Sequence, residues 1–84
     1  MYNTVYHTKL LLTFADIKEE VERAKTLFPT NFHNQHEAYA VILEEVDELW
    51  DEIKKNQKNY DLPAQRKEAV QCAAMMCRFL VELL

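Results

Sequence analysis

The chain has no glycine and no serine anywhere in its 84 residues. Without glycine, phosphate-cradling loops, dinucleotide fingerprints, the usual calcium-loop turn and the α/β-hydrolase nucleophile elbow all lack a required residue. Without serine, serine-based acyl transfer is excluded. Long hydrophobic runs are also missing, so no segment is expected to span a bilayer. The N-terminal stretch "MYNTVYHTKLLLTF" has neither the basic start nor the small-residue cleavage site of a secretory signal. Cysteine is scarce: Cys72 and Cys77 are five apart in a helix-like run, so they point in different directions and are not expected to bond to each other. A reducing, cytoplasmic setting is expected. A net charge of −4 and a pI near 5.3 speak against wrapping a nucleic-acid polymer, which needs a basic surface.

Hydrophobic side chains are abundant, at 49% of the chain, with four Tyr, four Phe and one Trp. One domain of this length buries roughly 60–65% of its unfolded surface. The surplus apolar surface predicts a partner subunit. Chemistry in such a chain has to come from side chains projecting from helices.

Three helical patterns divide the sequence, and the expected class is all-α with one domain over residues 1–84. In the first pattern Thr13 is a candidate N-cap, Ile17, Val21, Ala24, Leu27 and Phe28 share a face, and Pro29 ends the helix. Residues 1–12 are open between an extended N-terminal arm and an early helical turn. The second pattern starts near Asn34, with Glu37 at the capping-box position, and runs to about Lys55. After the polar connection "NQKNYD", the third starts at Pro63 behind Asp61 or Leu62. Its apolar residues cover well over half the circumference, leaving a strip of Lys67, Glu68, Gln71, Arg78 and Glu82. An antiparallel hairpin of the second and third helices, plus the first, is expected to assemble into an oligomeric bundle.

The stretch "VILEEVDELWDEIKK" concentrates acid: Glu44, Glu45, Asp47, Glu48, Asp51 and Glu52. At helical spacing Asp47 and Asp51 fall outside the apolar arc and are expected to be solvated. Glu45 falls inside its edge, and Glu48 and Glu52 follow at spacings that bring side chains together. Half-buried like charges are costly, and a hard divalent cation such as Mg²⁺ or Mn²⁺ would relieve the cost. The answering group on the third helix is Glu68, with Gln71 one turn on. An ordinary solvated acidic face is the alternative.

Glu44-Glu45-x-x-Glu48, followed after nineteen residues by Glu68-x-x-Gln71, resembles the EExxE…ExxD signature of the MazG-like all-α nucleoside triphosphate pyrophosphohydrolases. The flanks "HEAYAVILEEVDELWDEIKK" and "RKEAVQCAAMMCRFL" are similar to short MazG-like proteins often encoded by phages, and the resemblance covers about residues 28–84. It implies a homodimer or homotetramer in which carboxylates hold Mg²⁺ against a nucleotide's phosphates while water attacks between the α and β phosphates. By position it makes Glu45, Glu48 and Glu68 metal ligands and Glu44 a further ligand or the group orienting water. Arg66, Lys67 and Arg78 are the cations near enough in sequence to assist a developing negative charge on the phosphates. Gln71 stands where the signature has Asp; its carbonyl can coordinate Mg²⁺ but brings no charge. The alternative expectation is therefore a helical oligomer that binds or sequesters a nucleotide without hydrolysing it.

The remaining chemistry-bearing residues read more plainly. His36-Glu37 lacks the second histidine of a zincin, so His33 and His36 are assigned to capping and hydration. Cys72, Cys77, Met75 and Met76 read as core or interface filler. Trp50 reads as an interface anchor, and Trp50, Phe32 and Tyr39 are each also open to base stacking.

Overall fold

The computed structural model describes residues 3–55, 58 and 60–84, and these form three α-helices with no strand among them. They are α1 (Thr4–Leu27), α2 (Gln35–Ile53) and α3 (Leu62–Leu83). Asn56, Gln57 and Asn59 of the expected connection, and Met1 and Tyr2 of the N-terminal arm, lie outside the described residues.

The start of α1 corrects the sequence reading. Asn3 is the cap, with extended backbone and a side-chain oxygen accepting from the Tyr6 N–H at 2.9 Å. Thr13 is internal, and its hydroxyl donates back to the Lys9 carbonyl at 2.8 Å. Residues 4–12 contain no breaker, so the helix continues through them. Val5, Tyr6, Leu11 and Leu12 are exposed and Leu10 is only half-buried, so these residues mark no buried face, which is why the spacing is silent about them. The other end follows the proline rule: Pro29 keeps Phe28 out of the helical region, and the Phe28 N–H closes the last turn on Ala24.

Asn34 caps α2 by accepting from the Glu37 N–H at 2.9 Å. Glu37 reaches back one residue beyond the cap, accepting from the His33 N–H at 3.2 Å and lying 2.7 Å from His33 Nδ1. Asp61 caps α3 through the Ala64 N–H at 3.0 Å, with Pro63 in the first turn, where a missing N–H costs nothing.

Helix α3 is the centre: α1 and α2 each pack closely on it, and among the described residues their backbones do not approach one another. Gln71 reaches Glu45 while Glu82 accepts from the Phe32 N–H, so numbers fall along one helix as they rise along the other. The α2–α3 pair is thus the antiparallel hairpin that the short connection implies. Each helix contributes one buried alanine (Ala24, Ala38 and Ala74), small enough for close approach, and Phe32, Ile42 and Met75 complete the core. Each of those three larger side chains contributes about 1.5–3 kcal/mol when fully buried.

The core is thin for the apolar content. The chain exposes 6534 Å², against about 5,200 Å² for a compact monomer of this mass. Its radius of gyration is 14.4 Å, against about 12 Å expected for this length. Tyr39, Leu43, Val46, Trp50 and Ile53 lie exposed on the side of α2 away from α3, at alternating four- and three-residue spacing. Val81 on α3 is 83% exposed. Among the described residues no helix is long and apolar enough to cross a membrane.

Candidate metal centre and adjoining cleft

Glu45 and Glu48 sit one turn apart on α2, and the hairpin sets Glu68 of α3 against them. One carboxylate oxygen from each lies within 4.8 Å of the others. Glu45 and Glu68 are half-buried and Glu48 is exposed. With its amide nitrogen turned to the carboxylates, Gln71 donates to Glu68 Oε2 at 3.0 Å and to Glu45 Oε2 at 3.2 Å. A neutral amide thus bridges the α2 and α3 acids.

Electrostatics mark the triad as under-compensated. Burial pushes the Glu45 carboxyl above the usual glutamate value of 4.5, and the charges of Glu48, Glu68 and Glu44 and a hydrogen bond with Glu48 push it further. Burial also raises Glu68, with the charge of Glu48 and a hydrogen bond to it adding to the rise and Lys67 opposing it. The Cys72 thiol is raised by burial and by the negative charge of Glu45, Glu68 and Glu48 nearby. Among the described residues no cation forms an ion pair with Glu45, Glu48 or Glu68.

The donor set suits Mg²⁺ or Mn²⁺: three hard oxygens, on a site open enough to admit water and substrate. Ligand oxygens of one octahedral Mg²⁺ lie within about 4.2 Å of one another. Small side-chain rotations would bring the three carboxylates, already within 4.8 Å, to that spacing.

The other predicted residues divide. Glu44 is exposed outside the triad, with no hydrogen-bond or ion-pair partner among the described residues. Asp47 and Asp51 are exposed as expected, with Asp51 paired to Lys54 at 3.0 Å, and Glu52 is held by Lys55 at 2.7 Å. Arg66 is drawn to α1, where it pairs with Asp16 at 2.7 Å. Lys67 is exposed, and its charge acts on both Glu20 and Glu68.

Arg78 departs furthest from the expected polar strip. It is only 5% exposed, donates to Glu82 at 2.7 Å and to the Thr30 carbonyl at 3.2 Å, and stacks 4.6 Å from the Phe32 ring centroid. Glu82 in turn accepts from the Phe32 N–H at 2.8 Å and lies 3.6 Å from Lys25. This network fastens the α1–α2 connection to the end of α3, and the guanidinium is spent on that task.

Because the α1 and α2 backbones do not approach closely, a cleft of about 380 Å³ opens between them with α3 as its floor. Glu45 and Gln71 belong both to this cleft and to the acidic cluster, and Glu44 and Val41 line the same wall. Phe28 and Phe32 supply aromatic surface. The α1 wall carries Glu20 and Arg23, joined by a two-pronged ion pair at 2.8 and 2.6 Å. Sequence reading missed both, because α1 carries no part of the signature; their only signal is a three-residue spacing common to surface ion pairs.

The chain matches no family model, no curated protein and no solved structure. The functional reading therefore rests on its own residues.

Proposed function

We propose that this chain is a Mg²⁺-dependent nucleotide pyrophosphohydrolase of the MazG-like type, cleaving a ribo- or deoxynucleoside triphosphate to monophosphate and pyrophosphate. The observation that carries the reading is the meeting of Glu45, Glu48 and Glu68 across the α2–α3 hairpin beside a nucleotide-sized cleft. Glu45, Glu48 and Glu68 would hold the metal, and Gln71, with its amide reversed, would offer its carbonyl oxygen. When bound, the cation neutralises phosphate charge and makes a water more acidic. Glu44, unpaired on the cleft wall next to Glu45, is suited to orient that water and accept its proton. The exposed ring of Phe28 on the cleft wall would receive the nucleoside and exclude solvent from it.

The active form in this reading is a homodimer or homotetramer in the cytoplasm. The exposed stripe Tyr39, Leu43, Val46, Trp50 and Ile53 has the spacing of a helix-pairing seam, and a second copy is its natural cover. Light scattering should find an assembly, and Trp50→Glu should reduce it to monomer.

The decisive assay is pyrophosphate release from a panel of ribo- and deoxynucleotides with Mg²⁺ or Mn²⁺. Release that is lost in Glu45→Ala supports the reading; silence across the panel argues against it. One observation favours a second reading, a non-hydrolysing nucleotide-binding oligomer: Gln71 supplies no charge and donates to Glu45 and Glu68. That reading requires nucleotide-induced thermal stabilisation without turnover.

A further inference from the structure

A triphosphate seated on Glu45, Glu48 and Glu68 brings several negative charges into a site whose own walls are acidic. Some cation other than the metal has to face them. Of the cations adjacent to the signature, Arg66 is paired with Asp16 on α1, Lys67 is exposed and does not line the cleft, and Arg78 lines the cleft but is buried against Glu82, Thr30 and Phe32. Arg23, from α1, is differently placed. It lines the cleft together with Glu45 and Gln71, and Glu45 lies within its electrostatic reach.

We propose that Arg23 is a phosphate-binding residue of the cleft, held ready by Glu20. This rests on the pyrophosphohydrolase or nucleotide-binding reading and adds to it a residue outside the signature, on a different helix. The two-pronged contact with Glu20 already presents the guanidinium fork in the geometry that a phosphate would accept. Arg23 is the exposed partner of this pair and Glu20 the largely covered one, so the guanidinium is open to a ligand, and a phosphate takes over its fork by being the more highly charged acceptor. Arg23 would then bridge α1 to the substrate, closing the cleft from the side opposite the carboxylates. The Glu20 carboxylate, released, would still lie near Lys67, whose charge acts on it.

The test is calorimetric binding of an α,β-methylene nucleoside triphosphate with Mg²⁺, compared with the matching nucleoside. Arg23→Ala should weaken triphosphate binding about 10- to 100-fold, the range for charge-assisted bidentate bonds. Nucleoside binding should be unchanged. Glu20→Gln, which frees the guanidinium, should tighten triphosphate binding, and Lys18→Ala, in an exposed ion pair elsewhere on α1, should change nothing. Circular dichroism checks that each variant retains its helices. Wild-type binding with an unchanged Arg23→Ala affinity would overturn this assignment and leave the nucleotide reading standing. No wild-type binding of any triphosphate would overturn both.

Discussion

Two groups of charge on the same side of α3 receive opposite treatment. Near its C-terminal end Arg78 and Glu82 are almost completely buried, yet each is answered: carboxylate by guanidinium, Lys25 and a backbone N–H, guanidinium by carboxylate, carbonyl and an aromatic face. One helical stretch earlier, Glu68 meets Glu45 and Glu48 with only a neutral amide between the helices. A protein can bury charge for structure, and it then closes the account locally. Here it gathers three acids with no cation paired to them among the described residues and sets one of them, Glu45, on the cleft wall; in the proposed reading a Mg²⁺ ion would be the missing partner. If the proposed function holds, the difference separates a fastening from a site.

That comparison can be broken from either side. The largest effect is expected at the fastening: Arg78→Ala leaves Glu82 buried without its main counter-charge and should cost about 3–5 kcal/mol in urea unfolding. A loss under about 1 kcal/mol, as for a surface pair, would remove the distinction. At the site, Gln71→Asp should tighten Mn²⁺ binding about tenfold, roughly 1.4 kcal/mol, by adding charge to the ligand set. Unchanged Mn²⁺ affinity would show that Gln71 is not beside the metal. Glu45→Gln should do the reverse of a normal core lesion and stabilise the metal-free protein by about 0.5–1 kcal/mol through lost like-charge repulsion, while weakening Mn²⁺ binding.

The pH dependence carries the same contrast in sign. Glu45 and Glu68 have pKa values raised above 4.5 by burial and neighbouring acids, so the folded chain binds their protons more tightly than the unfolded chain does. Their contribution is favourable at low pH and is lost as pH rises from 4.5 through the raised values. Burial pushes Glu82 up too, but the hydrogen bonds from Arg78 and Phe32 and the charges of Arg78 and Lys25 prevail and hold it below 4.5. Its contribution is present above 4.5 and is lost as pH falls through the lowered value. Urea titrations in EDTA should therefore show Glu45→Gln gaining on wild type as pH rises above 4.5, and Glu82→Gln converging on wild type as pH falls below it.

The hairpin was legible because its determinants are local. Asn34 and Asp61 announce their caps, Pro29 its stop, and the short connection forces the antiparallel pairing that sets Glu68 against Glu45 and Glu48. Arg78 was misplaced for the converse reason. A helical wheel assigns it to a polar strip, but whether a strip meets water depends on what folds over it, here the Thr30–Phe32 segment. The same limit hid Arg23, whose importance comes from the gap between two helices that share only α3. The first half of α1 was illegible because its apolar residues face no core and so follow no period that burial would impose.

The most direct measurement is Mn²⁺ titration calorimetry on the metal-free protein, alone and with a non-hydrolysable nucleotide. The account predicts saturable binding that the nucleotide strengthens and that Glu45→Gln, Glu48→Gln and Glu68→Gln each weaken severely. Heats no larger than dilution in both conditions, or binding indifferent to all three substitutions, would contradict it.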